Sequence, residues 1–90
     1  MSQAPRAVTL RYFAWMRERV GCAEEQVALP PGIDTVAELV GWLKGRGEGY
    51  AAAFAEPRVI RAAIDKRAVQ PAAALSGARE IAFFPPVTGG

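Results

Sequence analysis

The end of the chain combines residue types that together suit chemistry at a carboxyl terminus. A strand-like run at residues 79–84 is followed by Pro85, Pro86, Val87, Thr88, Gly89 and Gly90. Two consecutive prolines cannot continue a sheet ladder and favour an extended backbone, so we expect them to hold the following residues away from the folded body. Glycine has no side chain, and a Gly-Gly end could therefore thread a narrow channel in a partner protein. The pattern predicts an extended tail over residues 85–90, after a folded domain over residues 1–84.

The group that such a tail presents is the terminal carboxylate of Gly90. A carboxylate is a poor electrophile until it forms a mixed anhydride with AMP, after which a sulfur nucleophile can displace the AMP and leave a thiocarboxylate. We therefore expect a partner enzyme to adenylate Gly90 with ATP, and sulfur to be carried covalently on this residue without a permanently bound cofactor. Terminal glycines can also mark a frayed end, but the proline stem and the strand before it favour the chemical interpretation.

The rest of the composition argues against self-sufficient catalysis. The chain of 90 residues has no histidine, which removes the commonest general base and the commonest metal ligand. Its one cysteine, Cys22, has Glu24 and Glu25 nearby, which should raise the pKa of the thiol and leave it inert. The acidic residues are not spaced as a ligand cluster, so no metal site is predicted. We expect a protein that is not an enzyme by itself.

Charge and hydropathy argue against two classes of partner. The 11 Lys and Arg against 9 Asp and Glu give a net charge of +2, and the basic residues are scattered among acids without the pattern of a nucleic-acid surface. No segment approaches the roughly 18 apolar residues that cross a bilayer, and the first residues lack the apolar core of a signal peptide. A lone cysteine offers no internal disulfide. We expect a cytoplasmic protein that binds neither nucleic acid nor membrane.

Hydrophobic periodicity predicts the elements that position the tail. Alternating apolar residues at 7–13 and 25–29 indicate two strands that pair like a hairpin, joined through a short helix over residues 14–20. Further strands are predicted over residues 59–65, 67–70 and 79–84. The glycine-rich stretch over residues 45–57 has weak periodicity and is predicted to be a mobile connector, although Tyr50 and Phe54 could share one helical turn.

The main helix has the clearest local signal. Thr35 is a good N-cap, and Glu38 three residues later completes a capping box. The apolar residues of this segment share one helical face: Val36, Leu39, Val40 and Leu43. A mixed sheet of four to five strands packed on this helix, with short helical turns, makes an α+β roll. We favour a β-grasp arrangement, although periodicity alone is compatible with other topologies.

The last strand also predicts a docking surface. Phe83 has the parity of the core, which leaves Phe84 on the opposite face, near Phe13 if the first and last strands are neighbours. An outward Phe84 beside the tail is a candidate for partner binding, and the alternative is that it simply covers the end of the sheet. Arg17 and Lys66 are further candidates for the same interface, although exposed basic residues are usually solvated.

Two segments of the sequence resemble one family of proteins. Residues 81–90 resemble the C-terminal signature of the small subunit of molybdopterin synthase, a ubiquitin-like sulfur carrier. Phe13-Ala14 with Arg17-Glu18 before Val20-Gly21 resembles that family's first strand and helix start. The length and the element order of the whole chain resemble the family as well.

The resemblance implies a β-grasp fold and a defined set of partners. A ubiquitin-activating-type adenylyltransferase would activate Gly90, and the large catalytic subunit of the synthase would accept the tail in a heterotetramer of two small and two large subunits. Sulfur from the thiocarboxylate would turn a cyclic pyranopterin precursor into molybdopterin during molybdenum cofactor biosynthesis. The sequence departs from the family at Asp65-Lys66, where Asn-Gln is common, and over residues 76–80, which bears on surface contacts more than on the tail.

Three other functions share parts of this pattern. A carrier for thiamine or cysteine biosynthesis has the same fold and Gly-Gly chemistry with a different partner, and the double proline favours the molybdenum branch over it. A ubiquitin-like modifier would transfer the same activated terminus to lysines of other proteins. A plain interaction domain would have an inert terminus, and deletion of Gly90 would separate it from the others.

Overall fold

The computed structural model describes residues 6–86, which contain five strands and three α-helices. The strands are β1 (Arg6–Tyr12), β2 (Glu24–Leu29), β3 (Arg61–Ile64), β4 (Arg67–Val69) and β5 (Glu80–Phe84). The helices are α1 (Trp15–Val20), α2 (Val36–Lys44) and α3 (Glu48–Ala53), with a 3₁₀ helix at Pro57–Val59. Residues 1–5 and 87–90 lie outside the described part of the chain.

The strands form one mixed sheet in the order β2-β1-β5-β3-β4. β1 and β5 run parallel in the middle of the sheet, while β2 pairs antiparallel with β1, and β3 pairs antiparallel with both β5 and β4. Alternate residues of β1 point into the core, so that Val8, Leu10 and Tyr12 are buried as their period predicts. The predicted α+β roll, a mixed sheet packed on one main helix, is confirmed.

Helix α2 covers the inner face of the sheet and starts where the capping box predicts. The Thr35 hydroxyl accepts the backbone N–H of Glu38 at 3.2 Å, and Glu38 Oε1 accepts the backbone N–H of Thr35 at 3.1 Å. These bonds satisfy backbone donors that the first turn of a helix leaves without partners. The predicted apolar face is buried: Val36, Leu39, Val40 and Leu43.

The stretch between α2 and β3 is more regular than its weak periodicity predicts. It contains α3, and the prediction of a connector over residues 45–57 was wrong. Tyr50 and Phe54, four residues apart, turn to the same side of this helix and pack into the core. Gly49 lets α3 approach α1 closely, because a Cβ at this position would meet the backbone carbonyl oxygen of Arg19. Gly49, which lies in the predicted connector, is therefore a contact residue between α3 and α1.

Strand boundaries differ from the predictions by one or two residues. β3 begins at Arg61 and not at residue 59, because the 3₁₀ helix at Pro57–Val59 occupies the preceding positions. It ends at Ile64, since Asp65 has a φ of 47° and belongs to a turn. Left-handed backbone cannot continue a strand, so the turn limits β3 on its C-terminal side.

Four aromatic side chains hold the end of β5 against the core, and we call them the aromatic cluster: Tyr12, Tyr50, Phe54 and Phe83. The Phe83 ring stacks on Tyr12 at 6.3 Å between centroids and meets Phe54 edge-on at 5.0 Å. The hydroxyls of Tyr12 and Tyr50 donate to Glu25 Oε2 at 2.9 Å and 2.7 Å. Because the rings are packed and the hydroxyls have an acceptor, the strand that leads to the tail is held firmly.

Candidate functional site

The stem of the predicted tail leaves the middle of the sheet. β5 lies between β1 and β3, and Pro85 and Pro86 follow its last residue, Phe84. Phe83, one residue earlier, pairs with both neighbouring strands. Residues 87–90, predicted to thread a partner and to carry the reactive carboxylate, lie outside the described residues.

A groove of about 680 Å³ lies beside the stem on the outer face of the sheet, and we call it the tail-side groove. Its walls are mainly apolar, and charged side chains lie at its rim. The apolar lining residues are Phe13, Ala14, Ala82, Phe84, Pro85 and Pro86, and the charged ones are Arg11, Lys66 and Glu80.

The two aromatic candidates for partner binding both lie in this groove. Phe84 is partly exposed on the outer face of the sheet, while Phe83 is buried on the inner face, so the predicted parity is confirmed. Phe13 has 41% of its surface exposed, and its backbone N–H donates to the carbonyl of Phe83 at 3.1 Å. This bond keeps Phe13 beside the end of β5. The structure therefore brings Phe13 and Phe84 to one surface.

The arginine of the groove has acidic partners. Arg11 Nε lies 3.7 Å from Glu24 Oε1, and its Nη1 lies 3.9 Å from Glu80 Oε1. Its guanidinium also lies over the Phe13 ring, 5.4 Å from the centroid. Exposed pairs of this kind add little to stability, but they offset the charge of Arg11 and keep it against the ring. The groove is an apolar surface whose charges are close to balanced.

Lys66 reaches the groove through a tight turn between β3 and β4. Asp65 and Lys66 have φ angles of 47° and 73°, and a two-residue type I′ hairpin turn requires positive φ at both central positions. Asp65 Oδ1 accepts the backbone N–H groups of Arg79 at 3.1 Å and Glu80 at 2.9 Å. The Asp65-Lys66 departure from the family pattern thus has a structural role, because Asp65 ties the turn to β5 and Lys66 lines the groove.

Two residues that follow β1 differ from expectation, Ala14 in the connection to α1 and Arg17 within α1. Ala14 lines the groove with a φ of 55° and a ψ of −137°, a conformation that costs free energy for a residue with a Cβ. The prediction that Ala14 is the first residue of the helix was wrong, because alanine carries no signal for positive φ and the helix begins at Trp15. Arg17, predicted to belong to the same interface, is exposed on α1 and does not line the groove.

The described part of the chain, residues 6–86, has no group of three or more His, Cys, Asp or Glu that could hold a metal ion. Cys22 does not line the tail-side groove, and burial, followed by the charge of Glu25, raises the pKa of its thiol. The prediction of an inert thiol agrees with this direction, but a backbone hydrogen bond from Glu24 lowers the pKa, opposite to the effect predicted for that residue. In the same range no helix is long and apolar enough to cross a membrane.

The fold and the groove beside the stem define a ubiquitin-like β-grasp protein, and solved structures agree. SAMP1 from Haloferax volcanii is 26% identical with a TM-score of 0.67, over 94% of this chain and 100% of that one. A putative molybdopterin converting factor, subunit 1, from Pyrococcus furiosus is 28% identical with a TM-score of 0.70, over 90% and 98%. The HVO 2177 protein from Haloferax volcanii, 23% identical with a TM-score of 0.75 over 100% and 92%, supports the fold alone.

The family model described as the ThiS family matches residues 10–90. The chain belongs to the ThiS family. Members of this family are small ubiquitin-like sulfur carriers that work with a larger partner subunit and an activating enzyme. No curated protein sequence gives a significant match.

Proposed function

We propose that this chain is the sulfur-carrier subunit of molybdopterin synthase, with the carboxylate of Gly90 as the reactive group. The observation that supports the proposal most is the position of the stem. A strand held by the aromatic cluster carries Pro85 and Pro86 out of the middle of the sheet, directly beside an apolar groove. A partner that docks in the groove would therefore meet the tail at once. The 28% identity to a putative molybdopterin converting factor subunit favours this pathway.

The proposed chemistry takes place at the terminus in two steps. A carboxylate oxygen of Gly90 attacks the α-phosphate of ATP on an adenylyltransferase, pyrophosphate leaves, and an acyl adenylate forms. A sulfur nucleophile then displaces AMP to give the thiocarboxylate, which the large subunit uses as sulfur donor to the pyranopterin precursor. The carrier itself contributes no acid or base, and ATP is bound by the activating enzyme. We propose a cytoplasmic location and a heterotetramer of two small and two large subunits.

The described residues have separate proposed roles in this process. Phe84 and Phe13 would supply the apolar contact to the adenylyltransferase and to the large subunit, with Lys66 at the rim. Pro85 and Pro86 would keep residues 87–90 extended inside the partner. Arg17 lies outside the groove, so its proposed contact would be peripheral.

A ubiquitin-like modifier is the second candidate, and the 26% identity to SAMP1 from Haloferax volcanii favours it. The activated terminus would then form isopeptide bonds with lysines of other proteins, and the first chemical step would be the same. A sulfur carrier for thiamine or cysteine biosynthesis would also share this step. These functions differ in what accepts the activated terminus or its sulfur.

Intact mass spectrometry of the full chain tests the proposal. After incubation with the adenylyltransferase, ATP and a sulfur source, one oxygen should be replaced by sulfur, and the large subunit should then convert the pterin precursor. A chain without Gly90 and a chain with one residue appended after it are matched variants, and both should lose sulfur transfer entirely. Unchanged transfer by either variant would refute the role of Gly90. Thiocarboxylate that the large subunit cannot use, or isopeptide-linked products, would favour the other candidates.

A further inference from the structure

A second groove lies on the side of the sheet that carries α2, and we call it the helix-side groove. It has a volume of about 670 Å³ and lies between α2, the 3₁₀ helix and strands β3 and β4. Its floor is apolar and includes Val40, Ile60 and Val69. Phe83 closes it from the core side, whereas its neighbour Phe84 faces the tail-side groove. The two grooves therefore open on different sides of the sheet.

The charged residues that line the helix-side groove are all basic: Lys44, Arg58 and Arg61. Their side chains are exposed, and none of them lies within 4.0 Å of a carboxylate among residues 6–86. The ion pairs in the same range use Arg6, Arg11 and Arg46 instead. Because no acidic residue lines the groove beside these three basic ones, its rim has an excess of positive charge that a ligand could offset.

The walls of the groove are already held in place by hydrogen bonds. The backbone N–H of Ala37 donates to the carbonyl of Pro71 at 2.9 Å, which ties the start of α2 to the segment after β4. On the opposite wall, the backbone N–H of Ile60 donates to the carbonyl of Pro57 at 3.1 Å, and Arg61 Nη1 donates to the carbonyl of Arg58 at 3.3 Å. A groove that is formed before binding loses little conformational entropy when a ligand enters.

The groove offers neither free helix amides for a phosphate nor an aromatic face for a nucleotide base. The first amides of α2, which would bind a phosphate at a helix N-terminus, already have acceptors: Val36 donates to Ala73, Ala37 to Pro71, and Glu38 to the Thr35 hydroxyl. Phe83 is fully buried and offers no face on which a base could stack. Binding would therefore rest on the apolar floor, which suits aliphatic side chains, and on the basic side chains. Basic side chains pair with carboxylates as well as with phosphates, but only a protein segment brings carboxylates and aliphatic side chains together.

The adjacent sheet edge limits how a protein segment could bind. β4 is an edge strand, but it has only three residues and is followed closely by Pro71, which cannot donate to a ladder. Addition of a further strand would gain few hydrogen bonds. Insertion of apolar side chains into the groove, with acids placed against the rim, fits the geometry better.

We propose that the helix-side groove binds an acidic protein segment that inserts aliphatic side chains between α2 and β3 and pairs its carboxylates with Lys44, Arg58 and Arg61. This interaction is independent of the tail and goes beyond the proposed function. Because the grooves open on different sides of the sheet, one molecule of this protein can hold such a segment while its tail is in use.

Titration of the full chain with a fluorescent peptide of alternating leucine and glutamate tests the proposal. The peptide should bind, and it should shift the backbone amide NMR signals of Val40, Ile60 and Val69. The same peptide with lysine in place of glutamate should bind at least about tenfold more weakly, because it places like charges against the rim. Shifts confined to the tail-side groove, equal binding of the two peptides, or tighter binding of AMP than of the acidic peptide would overturn the proposal.

Variants separate charge from shape in this test. Lys44→Glu with Arg58→Glu should weaken binding about tenfold or more, whereas Arg79→Glu, which changes an exposed arginine outside the groove, should leave it unchanged. Gly41→Trp should block the groove, since a Cβ on Gly41 meets open space and the helix can accept it. Each variant should still be adenylated at its terminus, so failure of this proposal is distinguishable from failure of the sulfur-carrier function. Undiminished binding by Gly41→Trp would also overturn the proposal.

Discussion

Phe83 and Phe84 are neighbours in one strand, yet they belong to two different regions of the molecule. Phe83 is 0% exposed and lies inside the aromatic cluster, where its ring contacts Tyr12 and Phe54. Phe84 is partly exposed and lines the tail-side groove beside the proline stem. Because successive side chains of a strand point to opposite faces, one strand can stabilise the fold with one residue and present a binding surface with the next. We call the aromatic cluster the inner region, and the tail-side groove with Pro85 and Pro86 the outer region. Packing in the inner region fixes the position of the outer region.

The two grooves also differ in how their basic residues are paired. Arg11 in the tail-side groove has Glu24 and Glu80 as partners, so a protein that docks there need not bring acids to neutralise it. The helix-side groove is lined by basic residues without nearby carboxylates in the described chain. Apolar contact would thus dominate recognition at the first groove, and charge would add to it at the second.

The largest difference between the two regions should appear in stability. Phe83→Ala should lower the free energy of unfolding by about 3–5 kcal/mol, because it removes a buried ring and leaves a cavity among packed aromatics. Phe84→Ala removes the same atoms from a partly exposed position and should cost about 1 kcal/mol or less. Urea unfolding followed by tryptophan fluorescence measures both values. Similar losses for the two variants would mean that Phe84 is part of the core and not of a binding surface.

Much of the inner region could be predicted from the sequence, because its signals are local. Period-2 alternation placed Tyr12 and Phe83 on the buried face, and the spacing of Thr35 and Glu38 fixed the start of α2. These patterns arise from the geometry of single elements, and the rest of the fold does not contradict them. The parity of the last strand also placed Phe84 on the outer surface.

What could not be predicted depends on contacts between distant segments. The Tyr12 and Tyr50 hydroxyls share Glu25 only because α3 packs against α1 and α2, which brings Tyr50 to Glu25 of β2. Gly49 allows α3 to approach α1 because it has no side chain, whereas the sequence placed Gly49 in the predicted connector. The positive φ of Ala14 results from the short connection between β1 and α1, and the residue type alanine does not predict it.

In the outer region we expect a substitution to weaken partner binding and to leave folding intact. Its free-energy effect should be smaller than the loss of stability expected for Phe83→Ala. Phe84→Asp should weaken binding to the adenylyltransferase about 10- to 100-fold, because a charged group would replace an apolar one in the lining of the tail-side groove. Isothermal titration calorimetry with the full chain measures the change. Val59→Asp is the matched control, since Val59 is 37% exposed on the 3₁₀ helix and lies outside this groove. Intact folding of Phe84→Asp with unchanged affinity would remove Phe84 from the interface.

The last prediction concerns the pH dependence of stability that comes from the two tyrosines of the inner region. It has the smallest effect at neutral pH, because both tyrosines are protonated there. Burial, and then the hydrogen bond to Glu25, raises the pKa of Tyr50 to about 12 and raises the pKa of Tyr12 well above its ordinary value. The folded state therefore keeps phenol protons that the unfolded state loses near the ordinary tyrosine pKa of about 10. Stability from this source is fully present below pH 10 and falls as the pH rises through 12.

Alkaline titration of tyrosinate absorbance checks this expectation directly, because Tyr12 and Tyr50 are the two tyrosines of the chain. In the folded protein the absorbance should rise only well above pH 10, and in urea it should rise near pH 10. Glu25→Gln removes the charged acceptor while burial remains, so its transition should fall between the two. If the tyrosinate absorbance of the folded protein rose at the same pH as that of the unfolded chain, the two hydroxyls would be solvated. The inner region would then be no better packed than the outer one.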